Sequence, residues 1–178
     1  MLNNKGIRKN IIVVRMIVFS LIIIGSFAIV VIPPQIIYPD IVITLVRTAC
    51  FGTCPDYQVA IYGDGTVYWN GEFEVKFDGK TTGKISIFQV YELINAFEKA
   101  KFFSMQDYDS VYVTDHPWAV TSITLNGKSK TISHYYGDRN APLELYELEC
   151  KIDEAANTNQ WIGRDYVFCR EWMKYMAK

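Results

Sequence analysis

The sequence predicts an α+β domain, an antiparallel sheet of about six strands with two or three helices packed on one face, preceded by one N-terminal transmembrane helix. Three observations support this fold class. Short segments rich in β-branched and aromatic residues are separated by turns containing glycine. Two segments with helical periodicity each follow a pair of such segments. An apolar run opens the chain, and 178 residues accommodate one domain and a tail.

Residues 11–32 are apolar except for Arg15 and a few small residues, and as a helix they are long enough to span a bilayer. Three further basic residues lie in the segment 1–10. The positive-inside rule therefore predicts a cytoplasmic N-terminus and an extracytoplasmic domain. We expect a single-pass membrane protein with the membrane as one partner.

A cleaved signal peptide is the alternative interpretation of this run. Ser26 and Ala28 supply small residues where a signal peptidase cleaves, which would give a secreted or periplasmic protein. The product would still begin with apolar residues, which favours the uncleaved anchor. Prolines make residues 33–40 a short, stiff linker.

Charge argues against a nucleic-acid partner. Residues 41–178 carry 14 basic and 18 acidic side chains. Such a surface does not attract phosphate.

The first half of the domain reads as strands and turns. Gly63-Asp64-Gly65 is typical of a hairpin turn. The predicted elements are a strand at 41–47, a turn at 50–55, hairpin strands at 57–62 and 66–70, and a half-buried strand at 72–77.

In the second half, Ser86 and Gln89 have the spacing of a capping box that opens a helix to about residue 100. For the second hairpin we expect a four-residue loop, Asn126–Ser129, because it pairs Ile123 with Ile132. The other predicted elements are an irregular segment at 102–115, hairpin strands at 119–125 and 130–136, a helix from about 140–142, and a last short helix within an aromatic tail, 163–178.

Apolar residues at helical spacing predict the buried side of each long helix. The first set is Ile87, Val90, Ile94 and Phe97, and the second is Leu145, Leu148, Ile152 and Ala155.

Residues 47–57 read R-T-A-C-F-G-T-C-P-D-Y, and residues 61–68 read I-Y-G-D-G-T-V-Y. Together they resemble the signature of an uncharacterised bacterial domain family of unknown function, over about residues 41–162. The resemblance implies an envelope location, since members often follow a signal peptide or lipoprotein signal. It implies no mechanism.

Cys50 and Cys54 invite three interpretations. Outside the cytoplasm the pair is expected to form a disulfide that fixes the bend between the first two strands. A redox role is less favoured, because neither a CxxC motif nor a thioredoxin-like βαβ pattern is present. A metal site would need two further ligands, and we expect neither a metal nor a cofactor.

Cys150 and Cys169 complete an even count of four cysteines. A bridge between them would clamp the tail to the domain, and Cys150 can equally be a buried free thiol. Sequence alone allows three pairings of four cysteines.

Asp115 and His134 are the candidates for acid–base chemistry, with the Asp orienting the imidazole. The alternative is that 114–117 forms a turn and His134 is a hydrogen-bonded strand residue. We favour the alternative, because no nucleophile motif accompanies the histidine.

Aromatic residues make up 15% of the chain, and some on the first hairpin must face outward if the strands alternate. Such a face can bind an envelope protein, a peptide or a glycan. The binding candidates are Arg47, Tyr57, Tyr68, Trp69 and Trp118. The sequence therefore favours a non-catalytic binding or scaffolding module, the alternative being a redox, metal-binding or hydrolytic site at Cys50, Cys54, Asp115 and His134.

Overall fold

A computed structural model describes residues 39–110 and 115–163 of the chain. The predicted transmembrane segment 11–32, most of the linker 33–40 and the tail beyond Gly163 lie outside the described residues. Within the described ranges, no helix is long and apolar enough to cross a membrane.

Six strands form one antiparallel sheet in the order β4-β3-β2-β1-β5-β6. The first strand is central, and its two neighbours belong to the two hairpins, so the domain is α+β as predicted. The strands are β1 Val42–Arg47, β2 Asp56–Tyr62, β3 Thr66–Phe73, β4 Gly79–Lys84, β5 Trp118–Leu125 and β6 Lys128–Tyr135.

In the ranges 39–110 and 115–163 the helices are α1 Ile87–Lys99, α2 Leu143–Ala156 and α3 Asn159–Ile162, with a 3-10 turn at Phe102–Ser104. The predicted capping box is present, since the Ser86 side chain accepts from the Gln89 backbone N–H and the Gln89 side chain accepts from the Ser86 backbone N–H. The apolar sides of α1 and α2 share one core with the sheet. Ile87 and Ala155 lie at the margins of that core rather than within it.

The prediction of a strand at 72–77 is wrong. β3 ends at Phe73, and the next strand is Gly79–Lys84, whose sequence is G-K-T-T-G-K. This strand lies at the sheet edge, where Lys side chains discourage pairing with another chain. Its inward residues are Gly and Thr. The alternation of apolar and polar residues that predicts a strand from sequence is therefore missing. Gly83 leaves room for the indole of Trp161, whose ring would lie 3.1 Å from an added Cβ.

The predicted register of the second hairpin is also wrong. Asn126 and Gly127 form a two-residue turn, and Ile123 pairs with Lys130 rather than with Ile132. Both turn residues have positive φ, 52° and 72°, which is the conformation of a type I′ turn and suits Asn-Gly. The turn geometry therefore outweighs the gain from pairing two isoleucines.

The two faces of the sheet differ in what covers them. The inner face packs against α1 and α2 and carries the buried strand residues. The outward-pointing residues of the three central rows of the sheet form what we call the outer face. No described helix packs against it. Its residues are Val42, Thr44, Val46, Gln58, Ala60, Tyr62, Thr66, Tyr68, Asn70, Lys80, Thr82, Lys84, Val120, Ser122, Thr124, Ser129, Thr131 and Ser133.

Candidate functional site

One row of the inner face is polar. Tyr57 pairs with Arg47, Arg47 with Ala119 and Ala119 with His134, so four adjacent strands place these side chains side by side. Directly paired residues of antiparallel strands point to the same face. The small Ala119 side chain leaves space above the middle of the row.

Helix α2 brings three polar residues to this row. Tyr146, Glu149 and Asp153 are separated by three and four positions, so they share one side of the helix. All three are buried. Buried carboxylates are rare unless paired.

Arg47 and Asp153 form a buried ion pair. The Arg47 Nε and Nη2 atoms lie 2.9 and 2.8 Å from Asp153 Oδ2. Asp153 Oδ1 accepts a hydrogen bond of 2.6 Å from the Tyr57 hydroxyl and one of 3.0 Å from Thr158 Oγ1. The pair therefore fastens the C-terminal end of β1 and the N-terminal end of β2 to the last turns of α2.

Glu149 extends the network to β6. Its Oε1 lies 2.9 Å from His134 Nδ1, and its Oε2 accepts a 2.5 Å hydrogen bond from the Tyr136 hydroxyl. The same hydroxyl accepts a 2.7 Å bond from Arg47 Nη1. Tyr136 thus joins the two carboxylate centres into one cluster.

Two tyrosines of this cluster, Tyr136 and Tyr146, are neutral at physiological pH. Burial raises the pKa of Tyr136 well above its usual value, although the neighbouring Arg47 charge opposes that shift. Burial, with the charge of Glu149 as the next cause, raises the pKa of Tyr146 to about 12. The protonated Tyr136 hydroxyl therefore donates to Glu149 while it accepts from Arg47.

Three buried polar atoms in this region have no hydrogen-bond partner, His134 Nε2, Tyr146 OH and Thr121 Oγ1. The His134 ring stacks on Tyr136 at 4.6 Å and meets the edge of Tyr146 at 4.4 Å between centroids. Because the imidazole is 0% exposed, a substrate in solution does not reach it in this conformation.

The candidate pairing of Asp115 with His134, the less favoured of the two interpretations, is not formed. Glu149 occupies the Nδ1 position, Nε2 is unpartnered, and Asp115 is exposed. The structure thus supports the interpretation of His134 as a buried strand residue, with Glu149 as its partner. No group of three or more His, Cys, Asp or Glu side chains suited to a metal occurs in the ranges 39–110 and 115–163.

A disulfide joins Cys50 and Cys54 just beyond the polar row, with Cα atoms 5.4 Å apart. Its loop is held from both sides, since the Ala49 N–H donates to Asp56 and the Thr48 N–H donates to the Trp118 carbonyl. These contacts fit a structural staple. Cys150 is also disulfide-bonded, and its partner lies outside the described residues, as does Cys169.

The binding candidates predicted from the sequence divide into residues of the core and residues of the surface. Arg47, Tyr57 and Trp69 are buried, the two rings stacked at 4.7 Å, so they present no surface to a partner. Tyr68 is 51% exposed on the outer face. Trp118 is half-buried, its ring 5.1 Å from that of Tyr135.

A groove of about 380 Å³ between α1 and α2 contains none of the predicted site residues. Leu93, Ala96 and Ala155 are its apolar lining, and its charged residues are of both signs. Because charges of both signs line the groove, its composition favours neither an anionic nor a cationic ligand.

A family model for a domain of unknown function matches residues 41–156, well over half of the chain. The chain belongs to DUF6438. No curated protein matches it. The DUF6438 span ends at the last residue of α2, so the resemblance inferred from sequence, which extended to residue 162, also took in α3.

Within the DUF6438 domain, sequence reasoning missed Tyr136, Tyr146, Glu149 and Asp153 as cluster members. A signal was present, because Glu149 and Asp153 fall on the same helical stripe as Leu145 and Ile152. Two acids on a buried stripe predict buried basic partners. The partners, however, lie outside the helix, with Arg47 106 positions before Asp153 and His134 15 positions before Glu149.

Proposed function

We propose that this protein is a membrane-anchored extracytoplasmic binding module without catalytic activity, and that its DUF6438 domain binds another protein through the outer face of its sheet. The observation that carries the proposal is that four hydroxyl groups of that face are hydrogen-bonded to each other in two pairs across neighbouring strands. Thr44 and Ser122 share a hydrogen bond across β1 and β5, and Thr124 and Ser129 share one across β5 and β6.

Hydroxyls that bond each other within the sheet lose little when water is removed, since an unsatisfied buried polar group is what costs free energy. A glycan would instead be bound by donors and acceptors directed away from the sheet. The paired hydroxyls therefore favour a protein surface as the partner.

The charge of the outer face supports the same conclusion. None of its residues is acidic, and its two basic residues, Lys80 and Lys84, lie on the edge strand β4. Tyr62 and Tyr68 form an edge-to-face pair with centroids 5.3 Å apart. Depletion of charge and enrichment of Tyr characterise the cores of protein–protein interfaces.

The proposed location depends on two features of the chain. The apolar run 11–32 and the basic residues before it favour an uncleaved anchor with a cytoplasmic N-terminus. The Cys50–Cys54 disulfide favours an oxidising compartment for the domain. Protease added outside the cytoplasmic membrane is expected to digest the domain and to spare an N-terminal epitope tag.

Site-specific photocrosslinking tests the binding surface. The full chain in its own membrane carries benzoylphenylalanine in place of Tyr68, or in place of Phe88 of α1, which is 68% exposed, as the matched control. We expect a protein adduct of discrete mass from the Tyr68 position only, lost in the Thr44→Arg variant and reproduced with the purified partner. Equal labelling from both positions, or none from Tyr68, would contradict the proposal.

A further inference from the structure

We propose that the partner is a second copy of this chain, and that the two sheets pack outer face to outer face about a two-fold axis parallel to the strands. This inference rests on the proposed function and names its partner. It follows from the size, the relief and the charge of the outer face.

The outer face has the dimensions of a small specific interface. Six strands about 4.8 Å apart and three rows of outward residues give a surface of about 29 by 20 Å. Two such faces would bury on the order of 1,200 Å² together, which lies at the lower limit for specific complexes. A domain confined to a membrane by its anchor meets its copies at high effective concentration, which makes a weak interface sufficient.

The heights of the side chains on the outer face are complementary between two copies related by this axis. The order β4-β3-β2-β1-β5-β6 places β3 over the partner's β5 and β2 over the partner's β1. The two aromatic side chains of the face, Tyr62 and Tyr68, lie on β2 and β3, and the positions that they would meet on β1 and β5 hold the smaller Val42 and Ser122. Tyr68 of one copy then packs over Ser122 of the other, Tyr62 over Val42, and Ala60 over Thr44.

The charges select the same axis. With the axis parallel to the strands, β4 lies over β6, so Lys80 meets Ser133 and Lys84 meets Ser129. An axis across the strands would place β4 over β4 and its lysines against each other. Like charges in contact oppose association.

Sedimentation equilibrium of the full chain in detergent tests the dimer. The wild type is expected to show a concentration-dependent monomer–dimer equilibrium. Thr44→Arg places an unpaired charge at the centre of the interface and is expected to raise the dissociation constant at least about 100-fold. Tyr91→Arg, on an exposed position of α1, is the matched control and is expected to leave it unchanged.

A mixing experiment tests the register. Ala60→Glu alone is also expected to abolish dimerisation. Because residue 44 of one copy lies over residue 60 of the other, equal amounts of Thr44→Arg and Ala60→Glu chains are expected to form a heterodimer. Failure of the mixture to associate would refute this axis.

The outcomes separate the two proposals. A monomeric wild type whose Tyr68 position crosslinks to a different protein refutes the second copy and leaves the binding face in place. A Tyr68 adduct within the same chain, with no added mass, shows that another segment of this chain covers the face and refutes both. A dimer that persists in Thr44→Arg refutes the face as its interface.

Discussion

Replacement of Arg47 by Met tests whether the buried cluster holds the fold together. Methionine has a comparable length and no charge, so Asp153 would keep only hydroxyl donors among the partners described for it, Tyr57 and Thr158. Removing one partner of a buried ion pair costs about 3–5 kcal/mol. Since domains are stable by about 5–15 kcal/mol, the loss is a large share of the total.

Thermal unfolding of the detergent-solubilised chain measures this effect. At about 2–4 °C per kcal/mol, Arg47→Met is expected to lower Tm by about 6–20 °C. The matched control is Lys84→Met, which breaks the 3.4 Å surface pair with Asp64, whose partners are 62% and 53% exposed, and is expected to leave Tm unchanged.

The double variant Arg47→Met, Asp153→Leu tests whether the unpaired Asp153 carboxylate causes the loss of stability. It removes both charges and is expected to be more stable than Arg47→Met alone, because no uncompensated carboxylate stays buried. A single variant that costs less than about 1 kcal/mol, or a double variant no better than the single, would refute the reasoning from the ion pair.

Four further substitutions have expected outcomes in unfolding experiments. Gly127→Ala is expected to cost about 1 kcal/mol, because φ is 72° there and no atom lies near the added Cβ. Tyr136→Phe is expected to cost about 2 kcal/mol, whereas Tyr146→Phe, which removes an unpartnered hydroxyl, is expected to be neutral or stabilising. The Asn140 N–H, followed by Ser110, lowers the pKa of Asp138 from 3.8, so its carboxylate stabilises the fold above that pH. The cost of Asp138→Asn is expected to be full at pH 7 and to shrink as the pH falls below about 4.

The fold was predictable where local chemistry and burial agree. The Gly63–Gly65 turn, the Ser86 cap and the helix after Pro142 are all visible in a few consecutive residues. Prediction failed for β4, whose Gly and Thr residues form a strand only because β3 lies beside them. It also failed at Asn126-Gly127, where apolar pairing was given more weight than the turn type.

The buried cluster was less predictable than the fold, for a physical reason. Apolar residues at helical spacing identify the buried side of a helix. Glu149 and Asp153 lie on that same buried side although they are acidic. Their burial depends on residues of other elements, Arg47 for Asp153, 106 positions away, and His134 for Glu149, 15 positions away. A pattern within one segment shows that a partner is required, and the topology of the sheet decides which residue supplies it.

Two adjacent hydroxyl residues of β5 bear on the proposal that the outer face binds a partner. Thr121 points inward and its Oγ1 has no hydrogen-bond partner, although water cannot reach it. Ser122 points outward, where water could satisfy it, yet it shares a hydrogen bond with Thr44. Exposure alone does not require such a bond, because water forms one at little cost. The four hydroxyls of Thr44, Ser122, Thr124 and Ser129 are paired before water leaves, so covering them would not orphan a polar group, which favours a dry protein interface at this part of the face.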